Sequence, residues 1–301
     1  MLRRIKENVD VSDQLAISKQ IIRMAKSLFE GGSYNPDVVC GVGVASAGPM
    51  DVQKGALIKP TNLPLDFVPI TDIIEKEMRV PSLLLNDSVA AVLGEKEFGV
   101  GKEMDNLFYV TLSTGIGGGA IVDGHLLSGK DGNAVEIGHF NIDYSGKLLC
   151  GCGKRGHWEA YCSGRNIPNY INMRLEEMES TTSEKSAISP NSWNKAAATA
   201  KNLFEAAKKG DKLALQFVEE IGRLNAVGFA DVINAYDPAL ISVGGAIALE
   251  NTDMVLPPIK KFTELHTINR VPDIIITPLR EDAGLYGGAA AILRATEAKA
   301  Q

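Results

Sequence analysis

The chain has 301 residues, of which 45% are hydrophobic and 23% charged, a composition that excludes a disordered, collagen-like or coiled-coil protein. The 31 basic and 37 acidic residues give a net charge of −6, so nucleic acid is not expected as a partner. No apolar run approaches the roughly 18 residues that cross a bilayer, and residues 1–6 lack the apolar region of a signal peptide. We therefore predict a cytoplasmic protein with no membrane partner.

The first third of the sequence alternates between two hydrophobic patterns. Apolar residues recur at a helical period within residues 12–30, which predicts an amphipathic helix. Short apolar runs at 38–44 and 83–85, bounded by turn residues, are typical of strands, and a helical stretch at 70–77 lies between them. Strands that alternate with helices indicate an α/β fold with a mainly parallel sheet.

The pattern changes at the start of the second half. An apolar strand at 107–112 is followed by a glycine-rich turn at 115–119, a strand at 120–122 and a tight turn at 123–124. This order predicts an antiparallel meander. Further on, we expect helices over 193–209, 212–235 and 283–298, strands over 240–243 and 274–277, and an exposed connection over 178–192.

Four metal-binding side chains are crowded within 19 positions, namely His139, Cys150, Cys152 and His157. A structural zinc ion takes four thiolate or imidazole ligands in a tetrahedron, and this stretch offers two of each. The intervening glycines let the backbone wrap tightly enough for the ligands to converge. Each residue alone is ordinary as a buried thiol or a hydrogen-bonded histidine, but the four together favour a closed zinc site that holds a loop.

Asn86 and Asp87 follow the apolar run 83–85 and open a helix-like stretch. A carboxylate at the carboxyl end of a parallel strand lies where open α/β sheets bind ligands, and the helix dipole favours its ionised form. Such a group can act as a base or orient a hydroxyl. Asn and Asp are also the preferred helix caps, so this motif alone leaves a plain cap equally open.

Two glycine-rich segments suit a nucleotide. Residues 113–119 can point successive backbone N–H groups and the Thr114 hydroxyl at phosphate oxygens, although they form neither a P-loop nor a dinucleotide fingerprint. Gly244 and Gly245 end the predicted strand 240–243 and permit close approach by a flat ligand such as a nucleoside. A glycine-rich hairpin and a plain strand-to-loop turn explain the two segments as well.

Taken in chain order, these segments resemble the ROK family (repressors, open reading frames, kinases) of sugar kinases, within the actin/hexokinase-like ATPase superfamily. The resemblance runs from about residue 35 to the end of the chain. The similar segments are 41–51, 60–64, the pair 86–87, 113–119, the Glu-x-Gly-His motif in 132–139, the zinc signature 150–159, and 234–245 with 282–285 on the adenosine side.

The resemblance implies two actin-like (ribonuclease H-like) α/β domains that flank an ATP and sugar cleft. The smaller domain would comprise residues 1–106 with the C-terminal helix 284–301, and the larger one residues 107–283 with the zinc loop. Its implied ligands are a hexose, ATP, Mg²⁺ and structural Zn²⁺. It also implies a homo-oligomer, either a dimer or a tetramer.

Roles carry over to matching positions. Asp87 would be the catalytic base for the sugar's 6-hydroxyl, and Asn86 would hydrogen-bond a neighbouring hydroxyl. His139 would reach both sugar and zinc through its two ring nitrogens. The other sugar-binding residues would be Gly48, Asn62, Glu136 and Glu159. The residues facing ATP would be Thr114, Gly115, Gly117, Gly118, Gly244 and Gly245.

The sequence departs from the family pattern in two places. The family's third zinc cysteine is His157 here, and imidazole is an acceptable zinc ligand. The family's opening strand, Asp-x-Gly-Gly-Thr turn and second strand have no counterpart, and residues 1–9 resemble what normally follows them. We expect a truncated version of a longer kinase, because every later motif is intact; a degenerate member that cannot turn over is the alternative.

The sequence therefore predicts ATP-dependent phosphorylation of a hexose 6-hydroxyl, with D-glucose as the preferred acceptor, as in a glycolytic glucokinase. Three alternatives stay open: a kinase for another aldose such as N-acetylmannosamine, a silent sugar-binding protein, and a sugar-responsive repressor. The repressor is disfavoured by the acidic charge balance and by one predicted helix before residue 35, where a helix-turn-helix would need more.

Overall fold

The computed structural model describes residues 1–30, 38–60, 62–130, 132–181 and 198–300. The helices in these ranges are α1 (Ala16–Ser27), α2 (Thr71–Met78), α3 (Asp87–Phe98), α4 (Glu159–Cys162), α5 (Ile167–Thr181), α6 (Ala200–Lys208), α7 (Lys212–Tyr236), α8 (Ala246–Glu250), α9 (Thr252–Thr263) and α10 (Ala283–Ala300). The strands are β1 (Val42–Ser46), β2 (Met50–Asp51), β3 (Ala56–Ile58), β4 (Phe67–Pro69), β5 (Ser82–Asn86), β6 (Leu107–Leu112), β7 (Ile116–Val122), β8 (His125–Leu126), β9 (Leu240–Gly244) and β10 (Asp273–Ile276).

The chain divides into two compact units. The first contains residues 1–102, 126–134 and 282–301, and the second contains residues 103–125 and 135–281. The division into domains near residue 106, which we inferred from the sequence, stays a prediction. Of the helices within the described ranges, none combines the length and the apolar character that a membrane span requires.

The first unit contains two small sheets. β1 runs parallel to β5, with Ser46 paired to Asn86, while β2, β3 and β4 form an antiparallel sheet. Apolar side chains of α1, α2, β5 and the antiparallel sheet pack into one core, namely Ile17, Ile22, Met50, Leu57, Val68, Ile70, Ile74 and Leu84. The parallel pairing places Ser46 and Asn86 at one edge of the β1–β5 sheet.

The second unit is built on a five-stranded sheet with the order β10-β9-β6-β7-β8. β6, β9 and β10 are parallel, and β7 pairs antiparallel to β6. All five residues of β9 are buried, because side chains on both faces of the strand are covered. The carboxyl ends of β6 and β9 therefore lie at the same edge of the sheet.

The structure corrects the bounds of a predicted strand and of a predicted turn. The apolar run 38–44 is extended as a strand only from Val42, which is where its partner begins at Ser82. The predicted turn 115–119 is wrong in its bounds, since β7 begins at Ile116 and the glycines 117–119 pair with β6. The predicted connection 178–192 is wrong over 178–181, which form the last turn of α5, and α6 begins at Ala200, later than the predicted start of that helix at 193. Residues 182–197 of this connection and helix lie outside the described ranges, and most other predicted elements match to within a few residues.

Helix α10 returns to the first unit and approaches two elements at backbone distance. A Cβ atom at Gly287 would overlap the carbonyl oxygen of Ala90 in α3, and one at Gly43 in β1 would overlap the carbonyl oxygen of Gly288. By contrast, a Cβ at Gly284 would meet only ordinary contacts, the closest 3.7 Å away at Ala45. Glycine is thus required where α10 crosses α3 and β1.

We predict that Gly287→Ala lowers the free energy of unfolding by about 1–3 kcal/mol, because the new methyl group forces the helix away from α3. Gly284→Ala is the matched control on the same helix, and it should leave stability unchanged or raise it by up to about 1 kcal/mol through helix propensity. Thermal and denaturant unfolding of the two variants provide the measurement. Equal stability of the two variants would contradict the backbone contact.

Candidate functional site

The first group of predicted site residues lies where β5 meets α3. The Asn86 side-chain oxygen accepts hydrogen bonds from the backbone N–H groups of Ser88, at 2.9 Å, and Val89, at 3.4 Å. Asn86 is therefore the helix cap. The exposed Asp87 carboxylate follows in the first turn, and its Oδ1 accepts from the Ser88 N–H at 2.7 Å and from the Ser88 hydroxyl at 3.2 Å.

The sequence left open whether the Asn86-Asp87 pair is only a helix cap, and the structure gives the cap to Asn86. Because Asn86 caps the helix, Asp87 is not needed as the cap and presents its carboxylate at the positive end of the helix dipole. A Cβ at Gly48 would lie 3.9 Å from the Asn86 amide nitrogen, so these two predicted residues are neighbours. Asn62 is exposed on the same unit.

The second group contains the four predicted metal ligands, whose donor atoms all lie within 4.8 Å of one another. The Nδ1 atoms of His139 and His157 are 3.2 Å apart. Cys150 Sγ lies 3.8 Å from His139 Nδ1, and Cys152 Sγ lies 3.3 Å from His157 Nδ1. Zinc bonds of about 2.0–2.3 Å in a tetrahedron require ligand separations of about 3.3–3.8 Å, so this donor set fits such an ion.

The surroundings of Cys150 and His157 shift the pKa values of these two side chains. Burial raises the pKa of the Cys150 thiol to about 11, so its thiolate form requires a cation close by. Burial lowers the pKa of His157, which favours the neutral imidazole that coordinates metals. The cluster is thus suited to a cation that replaces the thiol proton of Cys150.

Glu136 and His139 are placed by an unusual backbone segment. Val135 has a φ of +67°, a conformation that is strained for a β-branched residue. Glu136 follows at the centre of an inverse γ-turn, in which the Ile137 N–H donates to the Val135 carbonyl oxygen at 2.8 Å. Glu136 Oε2 lies 3.9 Å from His139 Nε2, the ring nitrogen that faces away from the metal ligands. Such stored strain is typical of functional sites.

Glu159 contacts both the candidate metal-binding loop and the turn between β6 and β7. Its Oε2 accepts a hydrogen bond from the Ile116 N–H at 2.9 Å, and its Oε1 lies 3.9 Å from Cys150 Sγ. A Cβ at Gly115 would lie 2.8 Å from Glu159 Oε2, so only glycine leaves the carboxylate this position. The turn between β6 and β7 is therefore shaped by a side chain from α4.

Trp158 anchors the peptide between His157 and Glu159. Its side chain is fully buried, and its indole N–H donates to the Asn225 side-chain oxygen at 2.8 Å. The ring lies so close to Gly228 of α7 that a Cβ there would overlap it. The sequence analysis missed this anchor, because a tryptophan between two polar motif residues carries no signal of its own.

The predicted ATP-facing residues lie at the carboxyl edge of the large sheet. Thr114 is exposed in the turn after β6, and its carbonyl oxygen accepts from the Arg165 N–H at 3.2 Å. Gly244 pairs with Thr111, and Gly245, at a φ of +87°, has no room for a Cβ beside the Leu112 carbonyl oxygen. Gly118 instead is buried against Ile137. The glycine pair thus allows β9 to end beside β6.

Comparisons with known proteins show which family this chain is similar to. The sequence model of the ROK family matches residues 5–295. The "Glucokinase" of Pyrobaculum calidifontis is 40% identical over 71% of this chain, and the aligned part is 65% of that protein. A ROK family glucokinase from Streptomyces griseus, solved in complex with glucose and AMPPNP, is 30% identical and has a TM-score of 0.71 over 93% of this chain and 89% of its own.

A relative with another role also matches. The "Xylose repressor" of Bacillus subtilis is 28% identical over 81% of this chain, and the aligned part is 58% of that protein. Kinases and repressors thus share this sequence pattern, so family membership does not by itself select an activity. The matches confirm the predicted resemblance and α/β fold: the chain belongs to the ROK family and has the actin-like fold of the actin/hexokinase-like superfamily.

Proposed function

We propose that this chain phosphorylates the 6-hydroxyl of a hexose with ATP, and that D-glucose is its preferred acceptor. The exposed Asp87 carboxylate carries the proposal, because it lies at the amino end of α3 while Asn86 caps the helix. The glucokinase relatives support glucose as the acceptor. Glucose is thus the first substrate to test.

In the proposed reaction, Asp87 accepts the proton of the sugar's 6-hydroxyl as that oxygen attacks the γ-phosphorus of ATP. The new oxygen–phosphorus bond forms in line with the bond that breaks, and ADP leaves with the electron pair. Before the transfer, hydrogen bonds from the Ser88 N–H and hydroxyl hold the Asp87 carboxylate at the amino end of α3. Asp87 thereby aligns the 6-hydroxyl and accepts its proton.

We assign ATP to the turn after β6 and to Gly244 and Gly245. The exposed Thr114 hydroxyl and the backbone N–H groups of the turn are suitable donors to phosphate oxygens. In the part of the chain that the structure describes, the only group of three or more metal-binding side chains is the His/Cys cluster. We expect Mg²⁺ to bind as the ATP complex, where it would neutralise phosphate charge.

We propose that Glu136, His139 and Glu159 bind the sugar hydroxyls. Carboxylates accept two hydrogen bonds from neighbouring hydroxyls, and a buried hydroxyl left without a partner is costly. Zinc held by Nδ1 of His139 would fix that ring and leave Nε2 on the side of Glu136. The metal would therefore orient a sugar-binding residue and take no part in the transfer.

A second candidate function is sugar binding without turnover. The proposed sugar-binding residues Glu136, His139 and Glu159 lie in the second unit and the proposed base Asp87 in the first, so sugar could bind without being phosphorylated. Calorimetric glucose binding combined with a coupled ADP-release assay separates the two functions, since binding without ADP release identifies the silent protein.

Our prediction for the metal is one zinc ion per chain in protein purified without chelators, as counted by elemental analysis. Cys152→Ser should lose most of this zinc, because a hydroxyl is a poor substitute for a thiolate ligand. Cys40→Ser is the matched control, since Cys40 is an exposed cysteine outside the cluster. Unchanged zinc in Cys152→Ser would remove the ligand assignment.

For the base, we predict that Asp87→Asn lowers turnover by about 100-fold or more and leaves sugar affinity within about tenfold. Turnover is measured on the chain itself and on a longer protein that includes any residues encoded in frame upstream of Met1. Asp72→Asn is the control, because Asp72 is also exposed in the first turn of a helix of the same unit. Similar turnover of the two variants would reduce Asp87 to a structural residue.

The substrate prediction is that glucose has the highest kcat/KM in a panel with mannose, fructose, N-acetylglucosamine and N-acetylmannosamine. Discrimination among these sugars depends on which hydroxyl or acetamido group finds a partner, and one buried mismatch changes kcat/KM by several orders of magnitude. If another sugar exceeds glucose by tenfold, the glucose assignment is wrong and the sugar-kinase proposal stands.

A further inference from the structure

The loop between His139 and His157 is shaped by a side chain that binds no metal. Asp143 Oδ1 accepts hydrogen bonds from the Ser145 N–H, at 2.9 Å, and from the Ser145 hydroxyl. Its Oδ2 accepts from the Lys147 N–H, at 3.1 Å, and from the Tyr161 hydroxyl. One carboxylate thus holds four groups, three of them within the four residues that follow it.

Tyr161 connects this arrangement to α4. Its hydroxyl donates to Asp143 and accepts from the Leu148 N–H at 3.1 Å, while its ring is buried. The Leu148 carbonyl oxygen in turn accepts from the Gly156 N–H at 3.1 Å. These bonds fix the chain two residues before Cys150, yet neither Asp143 nor Tyr161 is a member of the ligand cluster.

The two arms of the loop are also joined directly. The Gly156 carbonyl oxygen accepts from the N–H groups of Ile142, at 2.9 Å, and Asp143, at 3.2 Å. Gly156 has a φ of +80°, and a Cβ there would overlap the Asp143 carbonyl oxygen. The residue before His157 is thereby placed by Asp143 and its neighbour.

The charge state of this pair is stable at neutral pH. Burial would raise the pKa of Asp143, but the hydrogen bonds from Ser145, Tyr161 and Lys147 outweigh it and hold the pKa at about 2. Burial and the adjacent carboxylate raise the pKa of Tyr161 to about 12. A carboxylate and a neutral phenol are the forms that this hydrogen bond requires.

We propose that Asp143 and Tyr161 are positioning residues that form the metal loop before the metal binds, so that metal affinity depends on two side chains that do not touch the metal. The inference rests on the proposed zinc site. A loop that already has its bound conformation loses less conformational freedom when the ligands close on the ion. Residues that hydrogen-bond to metal ligands commonly change metal affinity by about 10–100-fold, and we expect an effect of this order from residues that hold the backbone beside the ligands.

The first test removes single hydrogen-bonding atoms. Tyr161→Phe keeps the ring and deletes the hydroxyl, and we expect about 10–100-fold weaker Zn²⁺ binding in competition with a chromophoric chelator. Tyr170→Phe is the matched control, because Tyr170 packs against Tyr161 at 6.3 Å and its hydroxyl bonds to Glu220. Ser145→Ala, on an exposed residue, tests the same carboxylate with less risk to folding and should weaken binding less.

The second test examines the loop without metal. Trypsin can cleave after Lys147, Lys154 and Arg155, and we expect the metal-free wild-type loop and the Tyr170→Phe loop to resist cleavage at least tenfold longer than the Tyr161→Phe loop. Equal cleavage of metal-free wild type and Tyr161→Phe, or equal zinc affinity of Tyr161→Phe and Tyr170→Phe, would overturn the proposal. A wild type that binds no zinc would remove the metal site and this inference, while sugar phosphorylation would still be decided by its own assay.

Discussion

The position of Asp87 depends on the backbone contact between the end of the chain and its first strands. α10 lies on α3 and β1 where glycines remove every side-chain atom between them, at Gly287, Gly288 and Gly43. The same packing brings the first turn of α10 close to the start of α3, since a Cβ at Gly284 would be 4.0 Å from the Asp87 carbonyl oxygen. Residues about 200 positions apart thus meet at the start of α3, the helix that carries Asp87, which explains why the first unit includes the last helix.

Much of this molecule could be predicted from the sequence because the relevant interactions are local. Asn86 and Asp87 are adjacent to the strand and the helix that position them, and His139, Cys150, Cys152 and His157 need only one short loop to converge. Apolar periodicity located α1, α2 and α7 to within a few residues, since the buried face of a helix repeats every turn. For these elements, the sequence pattern predicts the secondary structure that the folded chain adopts.

Other features depend on partners distant in sequence. The glycines at 117–119 suggested a turn, but strand pairing with β6 and burial against Ile137 place them in β7. Pro257 and Pro258 lie inside α9 although each removes a helical hydrogen bond, because Pro258 packs directly on Gly222 of α7. The sequence did not identify Asp143 as a positioning residue, because its partner Tyr161 is 18 residues away and contacts it only in the folded loop.

Trp158 can report on the candidate metal loop through its fluorescence. The indole is buried between α4 and α7, and its peptide neighbours are His157 and Glu159. The sequence contains one other tryptophan, Trp193, which lies outside the described residues. Replacing it by phenylalanine would leave a single tryptophan, whose emission wavelength depends on the packing of that peptide. Intrinsic fluorescence could then follow loop opening in real time, without any attached dye.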